Sequence, residues 1–402
     1  MASARVIITR SKRARLAAAP QPADAAAAAN DGVLPTEILL DILLRLPIRA
    51  LCRLRLVCRE WRSLTSDPGF ARAHPSRVVA GVCKLRGEIK LVDLFSGDAV
   101  KRVPVDEAQV RYGHNLSAQA DYVCVSETEG PTCVVNVATC FVTVLPDAVA
   151  AVKHAAADKV VKATSLLGRV RSTGEYKVLR THLCRGHDIY YHTCDVIALD
   201  DGAWRARPDP LMHISGDFER RAVVNGVAYF LPNPNHGDNR LRDIIASFDL
   251  ATEEWGPAML HGPFSSHHGT TFNGRLIMFT TEGRNLQLAE LDGCLVTVHW
   301  NTYQGRSSTD LWFLTDVDKV LWTKRYSVRC SSPGRKLNEY NKSFPLVILD
   351  DGRIVHWIQR EQALRAYDPK TFTWADLAIV RDYFCIGMLK GNLLCSGLQE
   401  VE

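Results

Sequence analysis

Apolar residues recur at helical spacing between residues 31 and 66 and at strand spacing beyond residue 78, and this change of period divides the chain. Ile38, Leu39, Ile42, Leu43 and Leu46 fall three and four apart, on one face of a helix that Pro35 can open and Pro47 must end. Leu51, Leu54 and Val57 predict a second helix, Val57, Trp61 and Leu64 a third, and Asp67-Pro68-Gly69 stops it. Chains below roughly 40 residues rarely fold alone. Leu40, Leu44 and Ile48 lie outside the inward stripe, so this segment is expected to show apolar surface to a partner. The alternative is a helical hairpin packed on the body that follows.

Residues 78–400 have short β-branched and aromatic runs punctuated by Gly and Asn. One pattern recurs: an apolar strand ending in Asp or Asn, a short turn, then an aromatic or apolar residue six positions after the acid. The clear copies are Asp249–Trp255, Asp368–Trp374 and Asp316–Trp322; the looser ones are Asn136–Val142, Asp93–Ala99 and a shortened Leu199–Trp204. Each predicts a hairpin in which the acid or amide folds back on the turn backbone. Gly turns at Asn225-Gly226, Asn273-Gly274, Asp351-Gly352 and Lys390-Gly391 predict a second hairpin per unit, giving four antiparallel strands. The acids recur at a mean separation of about 55 residues, near the roughly 50 of a kelch-like blade. The expected fold is α+β multidomain: a small three-helix unit (31–77) followed by an all-β propeller (78–402), of six blades, or seven if two copies are merged. Strands within 383–397 are expected to pair with the first blade and close the ring.

Charge is uneven. Of the net +5, residues 1–30 carry +4 and residues 31–77 carry +3, which leaves −2 for the rest. The basic, Ala-rich tail 1–30 can build no core and is expected to be disordered. Arg10-Ser-Lys12-Arg13-Ala-Arg15 has the composition of a nuclear import patch, a transit peptide or a solvated arm, and the solvated arm is favoured. A near-neutral body argues against nucleic acid as a partner. No apolar run reaches the 18–20 residues of a membrane span, so no membrane partner is expected. No apolar leader opens the chain, so a secretory signal is not expected. Twelve cysteines without a Cys-x-x-Cys pair fit free thiols in a reducing compartment, cytoplasmic or nuclear.

The run Leu34-Pro35-x-Glu37-Ile38-Leu39-x-x-Ile42-Leu43-x-x-Leu46-Pro47, with Val57-Cys58-Arg59-x-Trp61-Arg62-x-Leu64 and Ser66-Asp67-Pro68-x-Phe70, closely resembles the F-box of the large plant F-box families. Tyr176–Leu179, Cys194–Leu199 with Trp204, Val224–Phe230, and Ile245–Asp249 with Glu253 and Trp255 are similar to the F-box-associated domain of those proteins. The resemblance implies a receptor that docks on a Skp-family adaptor, and through it on cullin and RING subunits of a ubiquitin ligase, while the propeller binds an unknown target protein. Carried over by position, the adaptor-binding candidates are Leu34, Pro35, Ile38, Leu39, Ile42, Leu43, Pro47, Leu51, Val57, Cys58 and Trp61; some of these must hold the helices together instead. The eight arginines of 31–77 suit an acidic partner.

No nucleophile elbow, zinc-protease helix, phosphate loop or dinucleotide fingerprint occurs, and no catalytic residue, metal or cofactor is expected. His182, Cys184, His187, His192 and Cys194 crowd together without zinc-site spacing, and are expected to serve the blade rather than a metal. Trp204, Trp255, Trp322 and Trp374, at one hairpin position, are expected to pack blades rather than to bind sugar. Target recognition is expected in four non-periodic inserts, 182–193, 232–243, 261–268 and 301–310, with Arg185, Tyr190, Tyr191, Arg240, Tyr303 and Arg306 as contacts. The rival functions are an F-box protein acting outside the ligase and a propeller enzyme.

Overall fold

The architecture is that of a computed structural model. It describes residues 35–46, 48–67, 69–70, 74, 78–83, 87–95, 97–105, 115–127, 130–137, 139–146, 159–187, 189–234, 243–264, 270–272, 275–277, 285–303, 306–329, 343–381 and 383–389. The expected tail 1–30, the Lys390-Gly391 turn and the site candidates Leu34, Pro47 and Arg240 lie outside these residues. The chain forms two compact units, one ending at Ile42 and one running from Leu43.

Three short helices occupy the first helical stretch: α1 (Thr36–Leu43), α2 (Ile48–Leu54) and α3 (Arg59–Ser66). The Pro35 carbonyl accepts the Leu39 N–H (3.0 Å), as the carbonyl of a residue at a helix start should. Cys58 caps α3, its Sγ accepting the Trp61 N–H at 3.4 Å.

The rest is β. Blade 1 holds β1 (Val78–Cys83), β2 (Glu88–Asp93) and β3 (Ala99–Pro104); blade 2 holds β4 (Asn115–Gln119), β5 (Tyr122–Ser126), β6 (Thr132–Asn136) and β7 (Phe141–Val144). Blade 3 holds β8 (Lys159–Arg169), β9 (Tyr176–Arg185), β10 (Tyr190–Ala198) and β11 (Arg205–Arg207). Blade 4 holds β12 (Arg221–Val224), β13 (Val227–Phe230), β14 (Ile244–Asp249) and β15 (Glu254–Trp255), with β16 (Leu260–His261) also on β14. A separate ribbon of β17 (Thr270–Phe272) and β18 (Arg275–Ile277) follows. Blade 5 holds β19 (Leu286–Leu291), β20 (Cys294–Tyr303), β21 (Arg306–Asp316) and β22 (Leu321–Arg329). Blade 6 holds β23 (Ser343–Ile348), β24 (Ile354–Ile358), β25 (Ala363–Asp368) and β26 (Thr373–Ile379), and the last strand is β27 (Tyr383–Leu389). The chain is thus a six-bladed propeller behind a helical segment. Asn273-Gly274, expected at a hairpin inside a blade, lies outside the described residues.

β27 pairs antiparallel with β1 from Val78↔Leu389 to Cys83↔Tyr383, as the innermost strand of blade 1. The innermost strands β27, β4, β8, β12, β19 and β23 then neighbour one another around the ring. Six apolar clusters fill the space between blades, one at each seam. That is why β9 is buried along nearly its whole length: both of its faces meet a neighbouring blade.

The repeated hairpins have the expected chemistry. The side-chain oxygen of Asp93 accepts the Phe95 N–H (3.0 Å), Asn136 the Thr139 N–H (3.1 Å), Asp249 the Ala251 N–H (2.7 Å), Asp316 the Lys319 N–H (3.0 Å) and Asp368 the Lys370 N–H (2.8 Å). The residue four after each acid has positive φ: Gly97 (70°), Cys140 (59°), Glu253 (59°), Val320 (51°) and Phe372 (59°). The four tryptophans join blades. Each indole N–H donates to a carbonyl at the end of the previous blade's outer edge: Trp204 to Pro146 (2.6 Å), Trp255 to Pro208 (2.8 Å), Trp322 to His261 (2.8 Å) and Trp374 to Arg329 (2.9 Å).

Ring closure needs a glycine. A Cβ at Gly81 would lie 2.4 Å from the Tyr383 ring, which covers β1 at that point. Gly81→Ala should therefore push Tyr383 off the strand and destabilise the propeller by about 1–3 kcal/mol, read by denaturant unfolding of the full chain.

Candidate functional site

The helical candidates separate by burial. In the first unit Pro35, Ile38 and Ile42 are exposed, Ile38 at 49% and Ile42 at 42%, and Leu39 is half-buried. In the second unit Leu43 and Leu51 are buried and serve as core rather than surface, so their assignment as docking residues is corrected. Val57 is 66% exposed, and its neighbour Leu56, which the helical stripe did not single out, is 71% exposed. Cys58 and Trp61 are half-buried, and Cys58 acts as the cap described above. Sequence periodicity also missed His74. Its Nε2 donates to the Leu46 carbonyl at 2.8 Å and its ring stacks on Phe70, which ties the chain after α3 to the turn that precedes α2. Burial pushes His74 below the usual histidine range, against the raising effect of that bond.

Two of the four expected target-reading inserts are not loops. Residues 182–185 and 190–193 are strand, and only 186–189 turns between β9 and β10. Residues 301–303 and 306–310 likewise belong to β20 and β21. Arg185 pairs in register with Tyr190, and Tyr303 with Arg306, so these four residues flank the tips of two hairpins. Arg185 is exposed, and Tyr190 and Tyr191 are half-buried. Strand direction alternates within each blade, so all hairpins between second and third strands emerge on one face, with the connections between blades. The long hairpins of blades 3 and 5 therefore share a face, whereas 235–242 and 265–268, most of the other two inserts, lie outside the described residues. β1 begins on the opposite face, beside the aspartate hairpins, so the chain enters the propeller away from them. His267-His268 lies outside the described residues.

The pleat separates the tempting cluster. His182 and Cys184 stand opposite Thr193 and Tyr191, whereas His192 and Cys194 stand opposite Leu183 and Thr181, on the other face of the sheet. The four side chains cannot converge on one ion. Burial also pushes the Cys194 thiol far up, away from the thiolate a metal needs. Among the described residues no group of three His, Cys, Asp or Glu is placed to hold a metal, and no helix is long and apolar enough to cross a membrane.

Buried charge serves the seams. Glu253 accepts Lys177 Nζ at 2.8 Å and Arg205 Nη2 at 2.6 Å, and also pairs with Arg207, so one carboxylate of blade 4 clamps three cations of blade 3. Burial alone would raise the Glu253 carboxyl, but the hydrogen bonds from Arg205, Lys177 and Arg207 outweigh it and hold the group at about 2. A carboxyl depressed from 4.5 stabilises the fold above that pH and loses the effect as pH falls toward about 2. Glu253→Gln should cost about 2 kcal/mol at neutral pH, and its gap from the parent protein should close between about pH 4.5 and 2, measured by unfolding across that range.

Comparisons with known proteins agree with this geometry. Residues 32–74 match the F-box-like family, and residues 100–377, more than half of the chain, match the F-box associated beta propeller domain. An Arabidopsis thaliana F-box protein is 24% identical over 396 residues, covering 86% of this chain and 87% of the relative. An Arabidopsis thaliana F-box/kelch-repeat protein is 24% identical over 312 residues, covering 74% and 66% of the two chains. A second F-box/kelch-repeat protein of that plant is 51% identical over 41 residues, 10% of this chain and 11% of its own. A helical F-box segment, six blades closed by the last strand and aspartate–tryptophan hairpins at the seams make this chain a member of the F-box-associated β-propeller family.

Proposed function

We propose that the protein is the substrate-receptor subunit of a Skp–cullin–F-box ubiquitin ligase. The observation that carries the reading is the pair of uncovered apolar side chains on α1, Ile38 and Ile42, within the residues that match the F-box-like family. Exposed apolar residues on short helices fit a protein interface rather than solvent. On this reading the helices dock on a Skp-family adaptor, cullin and RING subunits follow through it, and the propeller holds a target protein. The chain itself performs no bond chemistry. Its contribution is proximity, raising the effective concentration of target lysines near the charged conjugating enzyme. The target contacts on this reading include Arg185, Tyr190, Tyr191, Tyr303 and Arg306, on the face away from the chain's entry into β1. The site of action is the cytoplasm or the nucleus.

The test uses Ile38→Asp with Ile42→Asp in the full chain. Both side chains are exposed, so folding is retained, while a carboxylate buried in an apolar interface costs several kcal/mol. Capture by a purified Skp-family adaptor should fall more than tenfold with the thermal midpoint unchanged. Undiminished capture overturns the docking assignment. Cullin recovered with the parent chain and adaptor supports the ligase reading, and adaptor recovered without cullin overturns it in favour of a role outside the ligase.

A further inference from the structure

The basic residues of the propeller fall into two kinds of place. The stretch 159–185 is strongly basic in sequence, and its buried or half-buried charges are engaged: Lys162 with Asp217 at 2.5 Å, Lys177 with Glu253, and Arg180 on Thr132 Oγ1 at 3.0 Å. The stretch 319–342 has seven basic residues against Glu339 alone, in a body whose net charge is −2. Its described part is β22, the outer strand of blade 5, where Lys324, Arg325 and Arg329 are exposed. Lys324 meets Asp310 at 3.4 Å. Among the described residues neither Arg325 nor Arg329 has a carboxylate partner.

Those two guanidinium groups are nevertheless held in place. Arg325 lies 4.6 Å from the Phe313 ring centroid and Arg329 4.0 Å from that of Phe372. The Arg329 backbone is pinned on both sides, its N–H donating to Tyr367 Oη (3.3 Å) and its carbonyl accepting the Trp374 indole N–H (2.9 Å). A cation stacked on an aromatic ring keeps its N–H edge free for a carboxylate and loses little freedom on binding. The pair is four positions apart, a span of about 13 Å on an extended strand, which matches two carboxylates four positions apart on an extended segment.

We propose that β22 is a docking strip for an extended acidic segment of the target, with Arg325 and Arg329 each taking one carboxylate. The inference rests on the receptor reading above and names the chemistry of what is received. A basic strip whose Arg325 and Arg329 have no carboxylate partner among the described residues, on a body of net charge −2, is complementary to such a segment and would also steer its approach.

The test measures binding of a fluorescein-labelled ten-residue peptide, with two Glu four positions apart in a Val/Thr background, to the purified full chain. Its Gln counterpart and a ten-nucleotide single-stranded DNA serve as the competing probes. The Glu peptide should bind in a salt-dependent manner and at least tenfold more tightly than either other probe. Arg325→Gln with Arg329→Gln should weaken it at least tenfold with the thermal midpoint unchanged. Equal binding of the Gln peptide, equal binding of the DNA, or no effect of the double substitution overturns the proposal. Adaptor capture is read on the same protein. Loss of peptide selectivity with capture intact strikes only the strip, and loss of capture with selectivity intact strikes only the receptor reading.

Discussion

Every seam of this propeller depends on the pairing of Val78–Cys83 with Tyr383–Leu389, which joins the two ends of the β body. Antiparallel pairing at this one place turns an open row of sheets into a ring, and only a ring leaves no inner blade face exposed to water. The last strand contributes to two clusters at once. Cys385 and Leu389 pack between blades 1 and 2, and Tyr383 packs between blades 6 and 1. Loss of that strand would open both seams.

The remaining seams add directional bonds to apolar packing. The four indole N–H groups run head to tail around the outer edge, from Trp204 to Trp374, each using a carbonyl the previous blade leaves at its end. The first seam lacks a tryptophan and has Lys101 Nζ on the Val137 carbonyl at 3.0 Å instead. Closer to the axis, Arg221 bonds Asn115 Oδ1 at 3.2 Å and the Ser165 carbonyl at 3.4 Å, linking blades 2, 3 and 4. Burial pulls its guanidinium down to about 10, still protonated at neutral pH. Charge inside the propeller thus holds blades together, whereas Arg325 and Arg329 on the outer strand of blade 5 have no carboxylate partner among the described residues.

The candidate site was legible in the sequence where the relevant physics is local, and misread where it is not. Polar residues at 182–193 and 301–310 have the composition of loops. In the folded chain His182 and His192 are buried between blades, because a strand inside a propeller has a neighbour on each side and can bury polar groups on either. The helical stripe was likewise ambiguous. Ile38, Ile42 and Leu43 share one periodic face, yet Leu43 is core and the two isoleucines are surface.

By itself the sequence determined the period of each segment, the six aspartate or asparagine hairpins and the tryptophan that follows the clearest of them. These are local: an acid side chain satisfies a turn N–H two or three residues away, whatever the rest of the chain does. It also determined that the last strands must return to the first blade, since a propeller edge cannot stay open. Tertiary structure alone decided which helical leucines face inward and that Glu253 gathers three cations from another blade. It also decided that Arg325 and Arg329 stand on aromatic rings, with no carboxylate partner among the described residues. Those outcomes depend on residues tens of positions apart, and no periodicity records which of them the closed ring will bring together.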